Sequence, residues 1–263
     1  MIKLILADVD GTLLNNSKCL GHNFWDIEAQ LADKGILFSV ASARQYYNLI
    51  EKFEKIKERT VFIAENGSYA VYQGKQLHLA CLHSNLVAKY LKIARKIEGA
   101  HLILSGKDAA YVESSNSKFL ARAQKFFAKL QPVNDLTLVN DEILKISLCH
   151  FKGARRNALP HFQQFEGECK MGVAGKIWLE LSDINANKGN AIQKIQQALG
   201  ITYDETMVFG DYLNDLEMMR SGKHSYAMKN AHPDIIAAAT FVTLFDNNNN
   251  GVMRTIQKVV FPD

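Results

Sequence analysis

The chain predicts an α/β fold: a doubly wound parallel sheet interrupted by an inserted α+β domain. Three features of its 263 residues carry that expectation. An apolar segment, Ile2 to Ala7, opens directly into Asp8-Val9-Asp10-Gly11-Thr12, and strand ends of this kind are where open α/β sheets keep their chemistry. Helix-period and strand-period segments then alternate, as βαβ units require. The alternation breaks near His83, gives way to helices mixed with hairpins, and resumes at Lys188.

Taken in order, Phe24, Ile27 and Leu31 recur at helical spacing, and Ile36 to Ala41 forms a second apolar run just after Gly35. A helix over about 45–56 precedes a third strand, Val61-Phe62-Ile63-Ala64, which Glu65-Asn66-Gly67 ends with turn chemistry. Residues 69–82 pattern as a hairpin around Gln73-Gly74. Next, Leu86, Val87, Tyr90, Leu91, Ala94 and Ile97 make an amphipathic helix. Strand-like runs follow at 101–105 and 109–113, then a helix over 117–130, a strand over 144–149, a helix over 155–166, and strands over 169–173 and 176–181. The expected division is a core of residues 1–83 and 184–263 with an inserted domain over 84–183. In the resumed core, Ala191, Ile192, Ile195, Ala198 and Leu199 form a helical stripe closed by Gly200, and the strand Met207-Val208-Phe209 follows. Short αβ units run through Tyr226-Ala227-Met228 and Phe241-Val242-Thr243 to a final helix near 250–260, and Asn247 to Asn250 reads as a polar loop ending at Gly251.

A composition of 48% hydrophobic and 22% charged residues is that of a globular protein with a sizeable core. The formal charge of +4, without a run of five like charges, points to neither a nucleic-acid arm nor a membrane-surface segment. Cys19, Cys81, Cys149 and Cys169 are widely spaced with no Cys-x-x-Cys, which argues against a zinc site and a dense disulfide framework. The opening residues reach a charge too soon for a signal peptide, and no apolar stretch approaches the ~20 residues of a membrane span. The expectation is a cytoplasmic protein whose partner is a small molecule, not nucleic acid or membrane.

Asp8 and Asp10, two apart on a continuing strand, would point the same way, and Gly11 lets the chain turn so that both carboxyls could face one crevice. A pair so placed needs a cation or a shared proton. It could divide the work of phosphoryl transfer, one carboxylate attacking phosphorus and the other moving a proton while Mg2+ screens the charge. A strand ending in an acidic turn is the plain alternative. The run Gly210-Asp211-Tyr212-Leu213-Asn214-Asp215 repeats the pattern after Met207 to Phe209. If the two strand ends are neighbours, Asp8, Asp10, Asp211 and Asp215 form an oxygen-rich cluster suited to hard, octahedral Mg2+. Alone, the second run equally suits a helix N-terminus. Ser42-Ala43-Arg44 places a hydroxyl and a backbone N–H where phosphate oxygens are readily held, although an N-cap serine would look the same. Lys188 is a cation at the wrong end of a helix dipole, either solvated or paired with Asp8 and a transferring phosphate.

These motifs, in this order and across essentially the whole chain, resemble the haloacid dehalogenase superfamily of aspartate-nucleophile phosphatases, specifically Cof-type members with a type IIB cap. Asp8-Val9-Asp10-Gly11-Thr12 matches its first motif, Ser42 its second, Lys188-Gly189 its third, and Gly210-Asp211 through Asn214-Asp215 its fourth. Glu65-Asn66-Gly67, Ala227-Met228-Lys229-Asn230-Ala231 and Asn250-Gly251-Val252 match subfamily markers. The resemblance implies a Rossmann-like core with Asp8 as a nucleophile that forms an aspartyl phosphate. Asp10 would be the acid that protonates the leaving oxygen and then the base that activates water. It also implies Mg2+ held by the Asp8 carboxylate, the Asp10 carbonyl and Asp211, with Asp215 ordering metal-bound water or Lys188. Ser42, Lys188 and Asn214, with the backbone at Ala43, would hold phosphate oxygens. Ala43 stands where the family mostly has glycine and Ser42 where threonine is commoner, yet the hydroxyl and backbone N–H are retained.

In that family the inserted domain closes over the site and sets specificity. Lys107, Asp108, His150, Lys152 and Lys176 could reach a substrate or be solvated turn and strand-end residues. The expected substrates are small phosphomonoesters such as sugar phosphates, pyridoxal phosphate or flavin mononucleotide. A sugar phosphomutase on the same architecture is the alternative, and a phosphate-ligand sensor with a vestigial site is a third reading. The sensor would be marked by loss of Asp8, Asp10 or Lys188, all of which are present.

Overall fold

The computed structural model describes residues 1–262. In chain order its strands are β1 Leu4–Asp8, β2 Leu37–Ala41, β3 Val61–Ala64, β4 Tyr69–Tyr72, β5 Lys75–Leu79, β6 Ala100–Gly106, β7 Ala110–Val112, β8 Leu130–Pro132, β9 Ile143–His150, β10 Lys170–Ala174, β11 Trp178–Ser182, β12 Thr206–Gly210, β13 His224–Ala227 and β14 Phe241–Val242. They form an eight-stranded sheet ordered β14-β13-β12-β1-β2-β3-β4-β5 and a six-stranded sheet ordered β10-β11-β9-β6-β7-β8. The chain divides into two compact units, one of Met1–Ala43, Phe53–His78 and Asn187–Asp263, the other of Arg44–Lys52 and Leu79–Ala186. Residues 44–52 join the second unit because the Gln45 amide bonds both backbone groups of Lys129, donating at 3.2 Å and accepting at 3.1 Å.

In the first unit β14, β13, β12, β1, β2 and β3 run parallel, and β4 turns antiparallel onto β3. Strands buried on both faces read as continuous apolar runs, and β1 is buried at all five residues. On one face Leu4, Leu6 and Val208 pack with Ala191, Ile192 and Ile195 of the helix Lys188–Leu199 and with Met218, Met219 and Ile235. Phe24, from the helix Phe24–Asp33, meets Phe38 and Phe53 edge-on or tilted. The doubly wound parallel sheet expected from the alternation is present. β1 lies between β2 and β12, so the chain leaves its two sides in opposite directions; in open α/β sheets that switch point is where ligands bind.

The second unit is built on its own antiparallel-rich sheet, with only β7 and β8 parallel. Three helices expected from periodicity are shorter. The 45–56 helix covers Tyr46–Lys52, and a separate single turn follows the fully buried Phe53. The 117–130 helix stops at Ala123, and Leu130–Pro132 adds an edge strand, where a proline without an N–H is tolerated. The 155–166 segment breaks into Ala154–Asn157 and two single turns, the first carrying Pro160. Among the described residues no helix is long and apolar enough to cross a membrane.

Candidate active site

The site forms where β1 and β12 end side by side, with Ala7 opposite Phe209 in parallel register. Asp8 closes β1 and is nearly buried. After it the chain folds back, Leu13 N–H donating to the Asp8 carbonyl at 3.2 Å and Leu14 N–H to the Val9 carbonyl at 2.9 Å. Gly11 makes this turn with φ of +91°, and any Cβ there would run into the Asp211 carboxylate. That absence lets Asp211 approach the loop, where Thr12 Oγ1 donates to its Oδ1 at 2.9 Å.

Lys188 begins its helix with its whole side chain buried, and Asn187 caps the same end by accepting from Asn190 N–H at 2.8 Å. Its Nζ donates to Asp8 Oδ1 at 2.5 Å and Asp215 Oδ1 at 2.6 Å. Asp215 is fully buried, and its other oxygen accepts from the backbone N–H of Asp211 at 3.0 Å and of Tyr212 at 3.3 Å. The lysine placed against a helix dipole is therefore ion-paired, not solvated.

Burial lifts Asp8 well above the ordinary carboxylate range against the pull of Lys188, and the charges of Asp215 and Asp211 add to the rise. Asp211 is pushed up to about 6, by burial first and then by Asp215. Burial works against the Lys188 ammonium too, but Asp215 and Asp8 overcome it and hold the group charged. Asp8 and Asp215 thus share one ammonium, with Asp211 beside them. Asp8, Asp211 and Asp215 each offer an oxygen within 4.8 Å of the others. An all-oxygen, negatively charged donor set of that spacing fits a hard divalent cation such as Mg2+.

The Asp10 carboxylate lies outside this cluster: it is partly exposed, with Lys18 Nζ 2.9 Å from its Oδ1. Ser42 is buried just beyond β2, its N–H donating to the Ile63 carbonyl at 2.8 Å, and Ala43 follows it on the surface. Asn214 Nδ2 donates to Asn66 Oδ1 at 3.0 Å, and Asn66 N–H donates to the Ser42 carbonyl at 2.9 Å, so Asn66 joins two of the expected phosphate-binding segments. Asn66 takes a left-handed φ of 57°, and Gly67 after it leaves space where a Cβ would strike the Asn187 carbonyl.

Of the second unit's candidates, Lys107 pairs with Glu142 at 2.8 Å, and Asp108 N–H donates to Asp141 at 2.9 Å. His150 is buried and donates through Nε2 to the Glu98 carbonyl at 3.1 Å, whereas Lys152 and Lys176 are exposed.

The segment 247–250, expected as a polar loop, has a structural task instead. Asn247 is buried, and its Nδ2 donates to the Leu14 carbonyl at 2.9 Å. Its N–H donates to Asn230 Oδ1 at 3.1 Å, and Asn230 Nδ2 donates to the Gly11 carbonyl at 2.9 Å. Asn248 accepts from Asn16 N–H at 3.0 Å, and Asn250 donates to Asn23. The loop after Asp8 is thus clamped by asparagines from the far end of the chain. Their repetition was a visible signal, but which carbonyls they reach was not.

A family description, haloacid dehalogenase-like hydrolase, matches residues 5–256. The chain is 31% identical over 266 residues to the 5-amino-6-(5-phospho-D-ribitylamino)uracil phosphatase YbjI of Escherichia coli, covering 98% of this chain and 96% of that protein. It is 24% identical to YcsE of Bacillus subtilis, a phosphatase named for the same substrate, over 97% of this chain and 95% of that one. The crystal structure of SMU.1108c from Streptococcus mutans superposes with a TM-score of 0.86 at 28% identity, covering 99% of each chain.

Proposed function

Because the chain belongs to the haloacid dehalogenase-like hydrolases, we propose that it is a Mg2+-dependent phosphatase of small phosphomonoesters with Asp8 as its nucleophile. The observation that carries this reading is the buried Asp8–Lys188–Asp215 contact, 2.5 and 2.6 Å about one ammonium. Removing two carboxylates and a lysine from water is costly, and well-packed apolar residues would serve folding as well or better. The arrangement makes sense where a divalent cation is bound and one carboxylate does chemistry beside it.

Asp8 attacks phosphorus through a carboxylate oxygen, forming one O–P bond as the ester O–P bond breaks. Asp10 gives a proton to the departing oxygen, then takes one from the water that hydrolyses the aspartyl phosphate. Lys188 neutralises charge on the transferring group and opposes the rise that burial imposes on Asp8. Ser42 and Asn214, tied together through Asn66, orient phosphate oxygens. Asp8 and Asp211, with the Asp10 carbonyl, would hold Mg2+, which when bound supplies charge screening for the phosphoryl group. Asp215 positions Lys188 and the Asp211 backbone.

The substrate we infer is a phosphomonoester at the end of a sugar-like or polyol chain. Two relatives from different bacteria are named for a substrate whose phosphate sits on a ribityl chain. The inserted segment, about residues 84–183, is proposed to set specificity.

The test is phosphate release from a panel of small phosphomonoesters with Mg2+, beside EDTA and Asp8→Asn controls. Release that disappears in both controls is expected. Silence across the panel, or near-normal turnover by Asp8→Asn, overturns the proposal.

A further inference from the structure

Three of the chain's eight histidines, far apart in sequence, gather at one place in the second unit. His101 lies near the start of β6 and His150 ends β9, with Ala100 opposite His150 and His101 opposite Cys149. His161 ends the single turn Leu159–His161. With Lys96, Lys152 and Phe151 they line a cavity of about 510 Å³, an ordinary size for a small-ligand site. The chain enters the unit at the opposite end of the same strands, where Leu82 N–H donates to the Ile143 carbonyl at 2.8 Å and Ile143 pairs with Gly106.

Side-chain bonds to backbone fix the walls. His150 is 5% exposed, and its Nε2 donates to the Glu98 carbonyl at 3.1 Å, joining the end of β9 to the turn before β6. Asn157 Nδ2 donates to the Gly153 carbonyl at 2.7 Å and the Lys152 carbonyl at 3.2 Å, which sets the turn carrying Lys152. A carbonyl only accepts, so in the neutral ring of His150 the proton sits on Nε2 and Nδ1 holds a lone pair. That nitrogen is buried and has no hydrogen-bond partner. An unmet buried polar atom costs stability, and in the wall of a cavity it marks a place where a ligand supplies the missing group.

The charges agree with this. Lys96 and Lys152 are exposed at the cavity, and the Lys118 ammonium lies 4.7 Å from the centre of the Phe151 ring. Among the described residues Glu98 is the one carboxylate that lines it. Burial, and then the charge of His150, hold His101 below the ordinary imidazole range, so the two rings sense each other. A concave surface dominated by one sign of charge concentrates counter-ions.

We propose that this cavity is a further anion site, which binds a phosphate group, free or carried by a small metabolite, with Lys96 and Lys152 as its cations and His150 as its buried partner. Phosphate oxygens accept from the ammoniums in charge-assisted bonds. An ionised carboxylate only accepts, and so leaves the lone pair on Nδ1 unmet. Singly protonated phosphate carries a P–OH that donates to Nδ1; if the proton crosses to the ring, Nδ1–H donates back to the same oxygen. Either way one proton lies between them and the buried nitrogen is satisfied. The proposal does not depend on the phosphatase reading, since its residues lie in the second unit and outside the Asp8 cluster.

The test follows the assigned imidazole 15N signals of the full chain by NMR at neutral pH with EDTA, so that the Asp8, Asp211 and Asp215 carboxylates, without a cation, repel added anions. Sodium phosphate, ribose 5-phosphate and sodium sulfate are titrated in turn into the wild type and into the double variant Lys96→Ala, Lys152→Ala. Both lysines are exposed, so their loss leaves the core intact. Phosphate is expected to shift the His150 and His161 signals saturably, with a midpoint about 10-fold or more higher in the double variant, the size that one lost charged hydrogen bond produces. Ribose 5-phosphate acting at lower concentration than phosphate identifies a metabolite as the source; acting only at equal or higher concentration, it identifies free phosphate. Both results support the site. It is overturned if neither compound shifts His150 saturably, if the double variant's midpoint stays within twofold of wild type, or if sulfate, which carries no proton at neutral pH, binds as tightly as phosphate.

Discussion

Asp215 joins the two halves of the candidate site by itself, one carboxylate oxygen 2.6 Å from Lys188 Nζ and the other 3.0 Å from the Asp211 backbone nitrogen. The chain segments carrying Lys188 and Asp211 are thereby held in register with each other and with Asp8.

Replacing Lys188 with methionine keeps the bulk but leaves Asp8 and Asp215 buried without their cation. Removing one partner of a buried ion pair costs about 3–5 kcal/mol. Urea unfolding of Lys188→Met is expected to show that loss, together with loss of phosphate release.

Mg2+ binding to the folded form raises stability by mass action, about 2.7 kcal/mol at a hundredfold excess over Kd. Thermal melts with Mg2+ and with EDTA are expected to differ accordingly. In Asp211→Asn the difference shrinks, because an amide is a weaker ligand and Thr12 Oγ1 no longer donates to a charged oxygen. An Asp211→Asn melt that responds to Mg2+ as fully as the wild type would exclude Asp211 from the cation site.

Asn247→Ala removes the side-chain donor from the Leu14 carbonyl and leaves a buried acceptor unbonded. Such a loss costs about 1–3 kcal/mol. Since Leu14 belongs to the loop that follows Asp8, kcat is expected to fall along with the melting temperature, while Asn248→Ala, whose contact is exposed, changes either little.

The four cysteines are all free thiols, and they differ in reach. Burial pushes the Cys81 and Cys149 thiols up to about 11, so both stay protonated at neutral pH and gain thiolate only as pH rises toward that value. Cys19 is exposed. Alkylation with iodoacetamide at pH 7.5 (about one unit below a free thiol's pKa) is expected to label Cys19 first, as read by peptide mass mapping. Equal labelling of Cys149 in the folded protein would contradict its burial.

The core was legible because its signals are local. An apolar run ending in Asp8-Val9-Asp10-Gly11 encodes strand, turn and carboxylates within a few residues, and β12 with Asp211 repeats the device. Lys188 could be flagged by its misplaced charge, but whether it met solvent or Asp8 depended on a contact spanning 180 positions. The asparagine clamp was invisible for the same reason: Asn247 and Leu14 are 233 positions apart, and nothing in a run of polar residues names the carbonyl each will find. Periodicity overran in the second unit, where the stretch around 124–130 keeps a helical apolar pattern yet ends in an edge strand. There tertiary pairing with β7 overrode local preference.

The pairing of Leu4 with Thr206 has a consequence for how the molecule is made. During synthesis β1 emerges long before β12, and the whole second unit is translated between them. β1 can dock early on β2, a connection of ordinary βαβ length, but its other edge must wait, exposed and apolar, until the far strand arrives. The second unit, with its own sheet and core, can condense during that wait and shorten the effective loop that closure has to span. Closure of the β1–β12 edge, and with it the meeting of Asp8 and Asp211, therefore comes only after the second unit has been translated.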